Sequence, residues 1–253
     1  MALALTAAAS PLYVVRWHLG AIPTTLLENL VGMTVVLYLL ALLRDRGPLP
    51  GRTPFEIPIA LLLLAGIIGV LVAPDHRGGL GILRAYWFEP VAMYYLAIAL
   101  LSTEGSIETF LGIWAAGSVL FSIYDLYIFF YAVATHTLEP GHAAAAFDID
   151  PNSVALYLEP IIGMAAGFAL FADGRRRWCA IATLVILIPA EIATLSRGGL
   201  LALAALVLVA IISVRSVRLR IGLLAGAIVA TGLVFVLPLT SARLAHAVDP
   251  VSG

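Results

Sequence analysis

The sequence predicts an all-α fold, a polytopic bundle of transmembrane helices. Apolar residues make up 62% of the 253 residues and charged residues 11%, and the mean hydropathy is +1.06. Soluble domains are nearer half apolar and a quarter charged. A spanning helix needs about 20 apolar residues, and the chain holds about eight or nine such runs. The runs are continuous, whereas the strands of a membrane barrel alternate between apolar and polar residues.

The apolar runs define the elements in order. Residues 1–15 are short for a span, and we prefer a clipped first span to a signal sequence cleaved near residues 7–10. The predicted spans lie at residues 1–15, 24–43, 55–73, 88–101, 107–134, 152–171, 178–193, 199–214 and 221–239. Residues 240–253 then begin a loop, and we expect residues 1–253 to form a single, truncated transmembrane domain.

Each boundary between spans has a local cause, because charged and turn-forming residues interrupt the apolar runs. Asp150 followed by Pro151 is typical of a helix start. The interruptions are the interfacial cluster 16–18, the Pro/Gly-rich loop 44–52, the loop 74–79, the segment 84–90, the turn 102–106, the loop 135–150, the Arg triplet 175–177, the junction 194–198 and the segment 214–220.

The distribution of arginine predicts the orientation, since cytoplasmic loops are enriched in Lys and Arg. Loops 44–52, 172–178 and 214–220 each hold three Arg residues, so we place them in the cytoplasm. The turn 102–106 joins them, and the alternation works without adding or removing a span. The opposite face then carries residues 16–23, 74–87, 135–150, 194–198 and 240–253.

Acidic residues within the predicted spans gather in the half of the membrane away from the cytoplasm. An ionisable group in a bilayer is costly, and it usually faces the protein interior or a water-filled cavity. We therefore predict a shared polar cavity that opens outward. The acids concerned are Glu28, Glu89, Asp125, Glu159 and Glu191.

The junction at residues 194–200, Thr-Leu-Ser-Arg-Gly-Gly-Leu, is the strongest candidate site. Arg197 lies at the start of a helix, whose N-terminus carries partial positive charge, and glycines let backbone N–H groups approach a ligand closely. A cation, free amides and a helix start together predict an anion site. The alternative is a simple helix boundary, with Ser196 as N-cap and Arg197 contacting lipid phosphates.

Arg77 and Arg84 are further outer arginines near predicted helix ends. Each alone is most simply a lipid-headgroup contact, but with Arg197 they predict binding of a di-anion such as pyrophosphate, which guanidinium groups hold in a bidentate way. Glu191 has two interpretations. We favour an ion pair that holds Arg197, and the alternative is a general base for a sugar hydroxyl.

The sequence predicts neither a metal nor a cofactor, and no nucleic-acid partner. His136, His142 and Asp148 share an outer loop, but their spacing matches no metal-ligand template. The single Cys179 excludes a cysteine-based cluster. A net charge of −1 argues against binding to nucleic acid.

Four segments, in order and spacing, resemble the O-antigen ligase and O-antigen polymerase superfamily. Residues 194–200 resemble its Ser-Arg-Gly signature, and residues 150–155 with Leu158 and Pro160 are similar to its Asn-containing helix start. Residues 83–90 look like an earlier family segment, and residues 242–253 look like the entry to its large periplasmic loop. The resemblance covers most of the chain from about residue 11.

The resemblance implies a metal-independent, inverting glycosyltransferase of the GT-C-like membrane class, acting in lipopolysaccharide biosynthesis at the bacterial inner membrane. Such enzymes take a glycan from an undecaprenyl-pyrophosphate carrier at the periplasmic face and pass it to lipid A–core, another glycan or a protein. Arg197 matches the signature Arg that holds the pyrophosphate, and Arg84 is a weaker match. We predict catalytic roles for Arg197 and Glu191, and substrate-binding roles for Arg84, Arg77, Gly198, Gly199, Asn152 and Glu159.

A histidine in the large periplasmic loop takes part in transfer in the family, and it has no counterpart here; His246 precedes the expected position. We therefore expect a fragment that is inactive by itself, with the base for the acceptor beyond Gly253. One alternative is a transporter that uses its intramembrane acids for ion coupling, but midplane charges and an inverted repeat are not found. A non-catalytic membrane scaffold is the other alternative.

Overall fold

The computed structural model describes residues 1–20, 22–44, 47–137, 145–217, 220–222 and 224–226. Most of the predicted span 221–239 and all of the predicted loop 240–253 lie outside these residues, as do Arg46, His142 and His246. The chain divides into two compact units, Met1–Trp114 and Ala115–Gly253. The boundary between the two units falls inside a long helix, and the prediction of a single transmembrane domain stays a prediction.

The described part of the N-terminal unit contains helices and one hairpin. Its elements are α1 (Ala2–Ala8), a 3-10 helix (Ser10–Val14), β1 (Arg16–Leu19), β2 (Ile22–Thr25), α2 (Leu26–Leu43), α3 (Glu56–Val72), α4 (His76–Leu83), a π-helical segment (Arg84–Phe88), α5 (Glu89–Leu100) and the first part of α6 (Glu104–Ala134). In the C-terminal unit the rest of α6 is followed by a 3-10 helix (Ala146–Asp148), α7 (Pro151–Phe171), α8 (Gly174–Ala193) and α9 (Arg197–Ser213).

Three helices in the described part of the chain, α2, α6 and α7, are long and apolar enough to cross a membrane. Helices α3 and α9 are apolar but shorter. Large apolar side chains such as Leu61, Leu64 and Leu208 are more than half exposed, as expected of surfaces that face lipid rather than water. The chain is thus mostly helical and has the character of a membrane protein.

The hairpin β1–β2 was not among the predicted elements. Its strands are antiparallel, with Arg16 opposite Thr25 and Leu19 opposite Ile22, and Gly20 follows β1 with a φ of +63°. Thr25 ends β2 and caps α2, because its Oγ1 accepts the N–H of Glu28 at 3.1 Å while Glu28 Oε2 accepts the N–H of Thr25 at 3.0 Å. The predicted span 24–43 is therefore a helix from Leu26 preceded by a strand.

The predicted loop 74–79 was wrong, because helix begins at His76 and continues through the π-helical segment to Leu100. Asp75 is the N-cap, and its Oδ1 accepts the N–H of Arg77 at 3.0 Å. A Cβ on Gly66 of α3 would lie 2.7 Å from Leu83 Cδ1 and 3.1 Å from Trp87. Close packing against α3 therefore stabilises helix across a stretch whose glycines and Pro74 suggested a loop.

Helix α7 is the centre of the C-terminal unit. Val154, Leu158 and Ile162 on one face are each no more than 1% exposed, and this face packs against α8 and α9. Pro160 lies at the middle of α7 and Pro189 near the C-terminal end of α8, so each helix loses one backbone hydrogen bond there. The buried face of α7 holds the starts of α7 and α9 beside each other.

Candidate functional site

The junction of α8 and α9 is a tight turn closed by Thr194 and Leu195. The Thr194 hydroxyl donates to the Glu191 carbonyl at 2.7 Å and accepts the Ser196 N–H at 3.1 Å. Leu195 has a φ of +52°, a conformation that a branched side chain seldom adopts. Both residues are buried. The hydroxyl bonds and the buried Leu195 side chain therefore maintain a backbone shape that would otherwise favour glycine.

Ser196 is the N-cap of α9, as predicted in the alternative interpretation of this stretch. Its Oγ accepts the Gly199 N–H at 3.2 Å and lies 2.8 Å from Asn152 Oδ1 in the first turn of α7. Because Ser196 Oγ already accepts from Gly199, its own proton goes to Asn152 Oδ1. The amide nitrogen of Asn152, Nδ2, has no acceptor among the described residues.

Several hydrogen-bond donors converge at the exposed side of this junction. Arg197 is the first residue of α9; its side chain is exposed and makes no ion pair within the described ranges. In the same part of the structure the N–H groups of Arg197 and Gly198 have no acceptor. Helix α9 has 17 residues, enough for its N-terminus to carry partial positive charge. Arg197, Gly198 and the Asn152 amide together can hold an oxyanion.

Glu191 lies on the buried side of the same junction. Its side chain is 0% exposed, and neither carboxylate oxygen has a hydrogen-bond partner in the described structure. The predicted ion pair with Arg197 is therefore wrong, since the guanidinium is exposed to solvent and the carboxylate is enclosed. A substrate hydroxyl cannot reach Glu191 in this arrangement, which leaves the general-base role without geometric support.

Gly199 contacts Glu191 across the junction. A Cβ at Gly199 would collide with Glu191 Oε1 and lie 3.2 Å from its Cδ and 3.0 Å from Ala155 Cβ. We predicted Gly199 as an amide donor for the ligand, but its N–H bonds Ser196 Oγ and the residue is buried. The glycine instead allows the carboxylate to approach the first turn of α9, and Gly198 remains as the glycine at the exposed side.

Two more acids of the predicted outer cluster lie near Glu191. Asp125 of α6 and Glu159 of α7 are close enough for their charges to interact with it. Asp125 is 1% exposed, and its Oδ1 accepts the N–H of Ala146 at 2.7 Å. Asp125 therefore holds the segment before α7 in place. Glu159 is partly exposed. Asp125, Glu159 and Glu191 thus form one group of acids beside the α8–α9 junction.

Arg77 and Arg84 belong to the N-terminal unit, where Arg84 is already paired. Its Nη2 donates to Glu28 Oε2 at 2.6 Å and to the Pro23 carbonyl at 3.3 Å, and its Nε lies 3.7 Å from Glu89 Oε1. Arg77 is exposed in the first turn of α4. Arg84, Glu28 and Glu89 form a local cluster that joins α2 to the π-helical segment. The two acids compete with any ligand for the Arg84 guanidinium.

Sequence reasoning missed Thr194 and Ala155 as residues that shape the junction. Thr194 stood in the quoted stretch, and a Thr three residues after Glu191 can bond its carbonyl, but no sequence rule selected that role. Ala155 is 1% exposed and packs against Gly199, a contact between helices far apart in the sequence. In the described ranges no group of three or more His, Cys, Asp or Glu side chains could hold a metal ion.

Comparison with protein-family models, with curated proteins and with solved structures finds no match to this chain. The resemblance to the ligase and polymerase superfamily therefore remains a prediction from the motifs. The structure adds two features at the start of α9: the exposed donors of Arg197 and Gly198, and the buried carboxylate of Glu191.

Proposed function

We propose that this protein transfers a glycan from an undecaprenyl-pyrophosphate carrier to lipid A–core, another glycan or a protein, as part of a ligase or polymerase of the O-antigen type. One observation carries the proposal: within the described residues, the exposed guanidinium of Arg197 at the start of α9 has no ion-pair partner, and the neighbouring N–H of Gly198 has no acceptor. A pyrophosphate is the leaving group of such a transfer, and donors aimed at it stabilise the charge that develops as the bond breaks.

The surroundings of Arg197 support a phosphate ligand over a simple lipid contact. Asn152 is exposed and its Oδ1 accepts the Ser196 hydroxyl, so a neutral amide donor accompanies the cation and the helix N-terminus. These donors come from two helices held together by one hydrogen bond. A pre-arranged set of donors on separate helices favours a specific oxyanion, since their geometry is set before the ligand arrives.

The wider proposal has the chain as a multi-pass protein of the bacterial inner membrane, with about eight or nine spans of the GT-C-like class. The α8–α9 junction then faces the periplasm, where the carrier presents its glycan. The substrate-binding roles of Arg84 and Arg77 stay predictions, and for Arg84 such a role requires exchange of its partners Glu28 and Glu89 for the ligand.

Substitution of Arg197 tests the proposal. Arg197→Ala should reduce glycan transfer by about 100-fold, the usual effect of removing one donor to a developing oxyanion. Arg197→Lys keeps the charge but loses the bidentate geometry, so we expect intermediate activity. Transfer is measured from a lipid-linked donor by the gel mobility of the acceptor, in membranes with equal amounts of each variant.

Arg175→Ala is the matched control, because Arg175 is also exposed near the start of a helix, at the predicted cytoplasmic end of α8. It should leave transfer unchanged. Direct binding of farnesyl pyrophosphate should weaken in Arg197→Ala and not in Arg175→Ala. Unimpaired transfer and pyrophosphate binding by a normally inserted Arg197→Ala variant would remove the proposed role.

A further inference from the structure

In the described part of the structure, the Glu191 carboxylate has no ion-pair partner. Both of its oxygens are buried there without a hydrogen-bond partner, and the side chain is 0% exposed. Such a place disfavours the ionised form of the carboxylate, so it promotes the binding of a proton or a cation to Glu191. The described residues offer no group of three ligands for a metal ion, which favours the proton.

The neighbours of Glu191 add negative charge rather than removing it. From α6 it faces Asp125, and from α7 it faces Glu159. From α9 the nearest charged residue in sequence is Arg197, whose guanidinium is exposed and makes no ion pair in the described structure. The partial positive charge at the N-terminus of α9 favours the ionised form of Glu191, since the carboxylate contacts Gly199 in the first turn of that helix.

The N-terminus of α9 is therefore adjacent to two negative groups, Glu191 on its buried side and the proposed anion on its exposed side. Glu191 contacts the first turn of α9 from the buried side, and Arg197 and Gly198 present their donors on the exposed side. We propose that anion binding at Arg197 and Gly198 is coupled to the binding of a proton at Glu191. The inference rests on the proposed function, because it needs the anion site, and it adds a condition under which that site fills.

The sign of the coupling follows from charge. A bound anion and an ionised Glu191 would both be attracted to the partial positive charge of the same helix end and would repel each other. Protonation of Glu191 removes this repulsion, so the anion binds more tightly when the proton is present. By reciprocity, anion binding draws a proton from solvent, and affinity falls as the pH rises.

Calorimetric titration of the whole protein in lipid nanodiscs tests this coupling. Methanedisulfonate is a suitable probe, because it mimics the two charges of pyrophosphate and does not change its own charge near neutral pH. Titrations in two buffers of different ionisation enthalpy count the protons taken up. We expect proton uptake by the wild type on binding, and affinity about tenfold higher at about pH 6 than at about pH 8.

Glu191→Gln keeps the shape of the side chain and removes its charge, so it should bind with no proton uptake and with pH-independent affinity. Asp173→Asn is the control, since Asp173 is an exposed acid at the opposite end of α8, and this variant should keep the uptake. Binding by the wild type without proton uptake, or uptake that persists in Glu191→Gln, overturns the coupling. Undiminished binding by Arg197→Ala overturns the anion site instead, so the two failures are distinct.

Discussion

At the scale of single residues, the contact between Glu191 and Gly199 decides how the α8–α9 junction packs. The carboxylate occupies the space that a side chain at position 199 would need, and Ala155 closes the same space from α7. The two adjacent glycines therefore differ in how much space a side chain would find, which is little at Gly199 and enough at Gly198. A Cβ at Gly198 would have its nearest neighbour, Ser196 Oγ, at 3.7 Å, which is ordinary contact.

This difference predicts opposite effects of alanine at the two positions. Gly199→Ala should destabilise the protein by about 1–3 kcal/mol, because a buried carboxylate and Ala155 must both move. Gly198→Ala should be neutral or stabilising by up to about 1 kcal/mol, since alanine is the better helix former. Thermal unfolding in detergent measures both.

A Glu191→Ala background provides the control for this prediction. With the carboxylate removed, Gly199→Ala should lose much of its cost, because the principal collision is gone. An equal cost of Gly199→Ala in both backgrounds would contradict the contact.

At the scale of elements, Arg84 joins a hairpin, a helix start and an irregular helix. It donates to Pro23 of β2 and to Glu28 of α2 from the π-helical segment. Glu28 is at the same time part of the capping box of α2. Glu28, an acid in an otherwise apolar span, therefore stabilises the start of α2. Single π-helical turns such as the one that carries Arg84 are frequent at functional sites.

Arg84→Ala should loosen the start of α2 while leaving the helices intact. We expect faster hydrogen exchange at the amides of Thr25 and Glu28, and a loss of no more than about 1 kcal/mol, because the Arg84 side chain is 40% exposed and its ion pairs are partly screened. Arg84→Lys should restore part of the protection. Arg52→Ala, an exposed arginine of the same unit, is the control and should change neither amide.

At the scale of the whole molecule, the distribution of arginine predicts which face of the membrane each junction occupies. Helix α8 begins beside three arginines, at positions 175–177, and ends beside the Glu191–Arg197 junction. The two ends of this one helix should therefore lie on opposite faces, with Arg197 outside.

The chain provides its own probe of this orientation, since Cys179 is its single cysteine and is exposed near the start of α8. A membrane-impermeant thiol reagent should label Cys179 in inside-out vesicles and not in right-side-out vesicles. The variant Cys179→Ser with Gly198→Cys should show the reverse pattern, because position 198 is exposed at the other end. The same pattern for both variants would contradict the predicted topology.

The sequence alone determined the helical, membrane-spanning character, because apolar composition and run length act locally along the chain. It also offered Ser196 as a helix cap in the alternative interpretation of residues 194–200, because capping depends on side chains within one turn, although the predicted span began at residue 199 and α9 begins at Arg197. It did not reveal the β1–β2 hairpin or the helix through residues 76–83, since neighbouring elements stabilise both.

Only the tertiary structure decided the roles of the charged residues. Whether Glu191 pairs with Arg197, or Arg84 with Glu28, depends on which residues distant in the sequence enclose each side chain. The burial of Glu191 against Gly199 and Ala155 involves three helices, and no spacing along one of them encodes it. Charge in a low-dielectric interior is governed by such neighbours, so its fate is a property of the folded molecule.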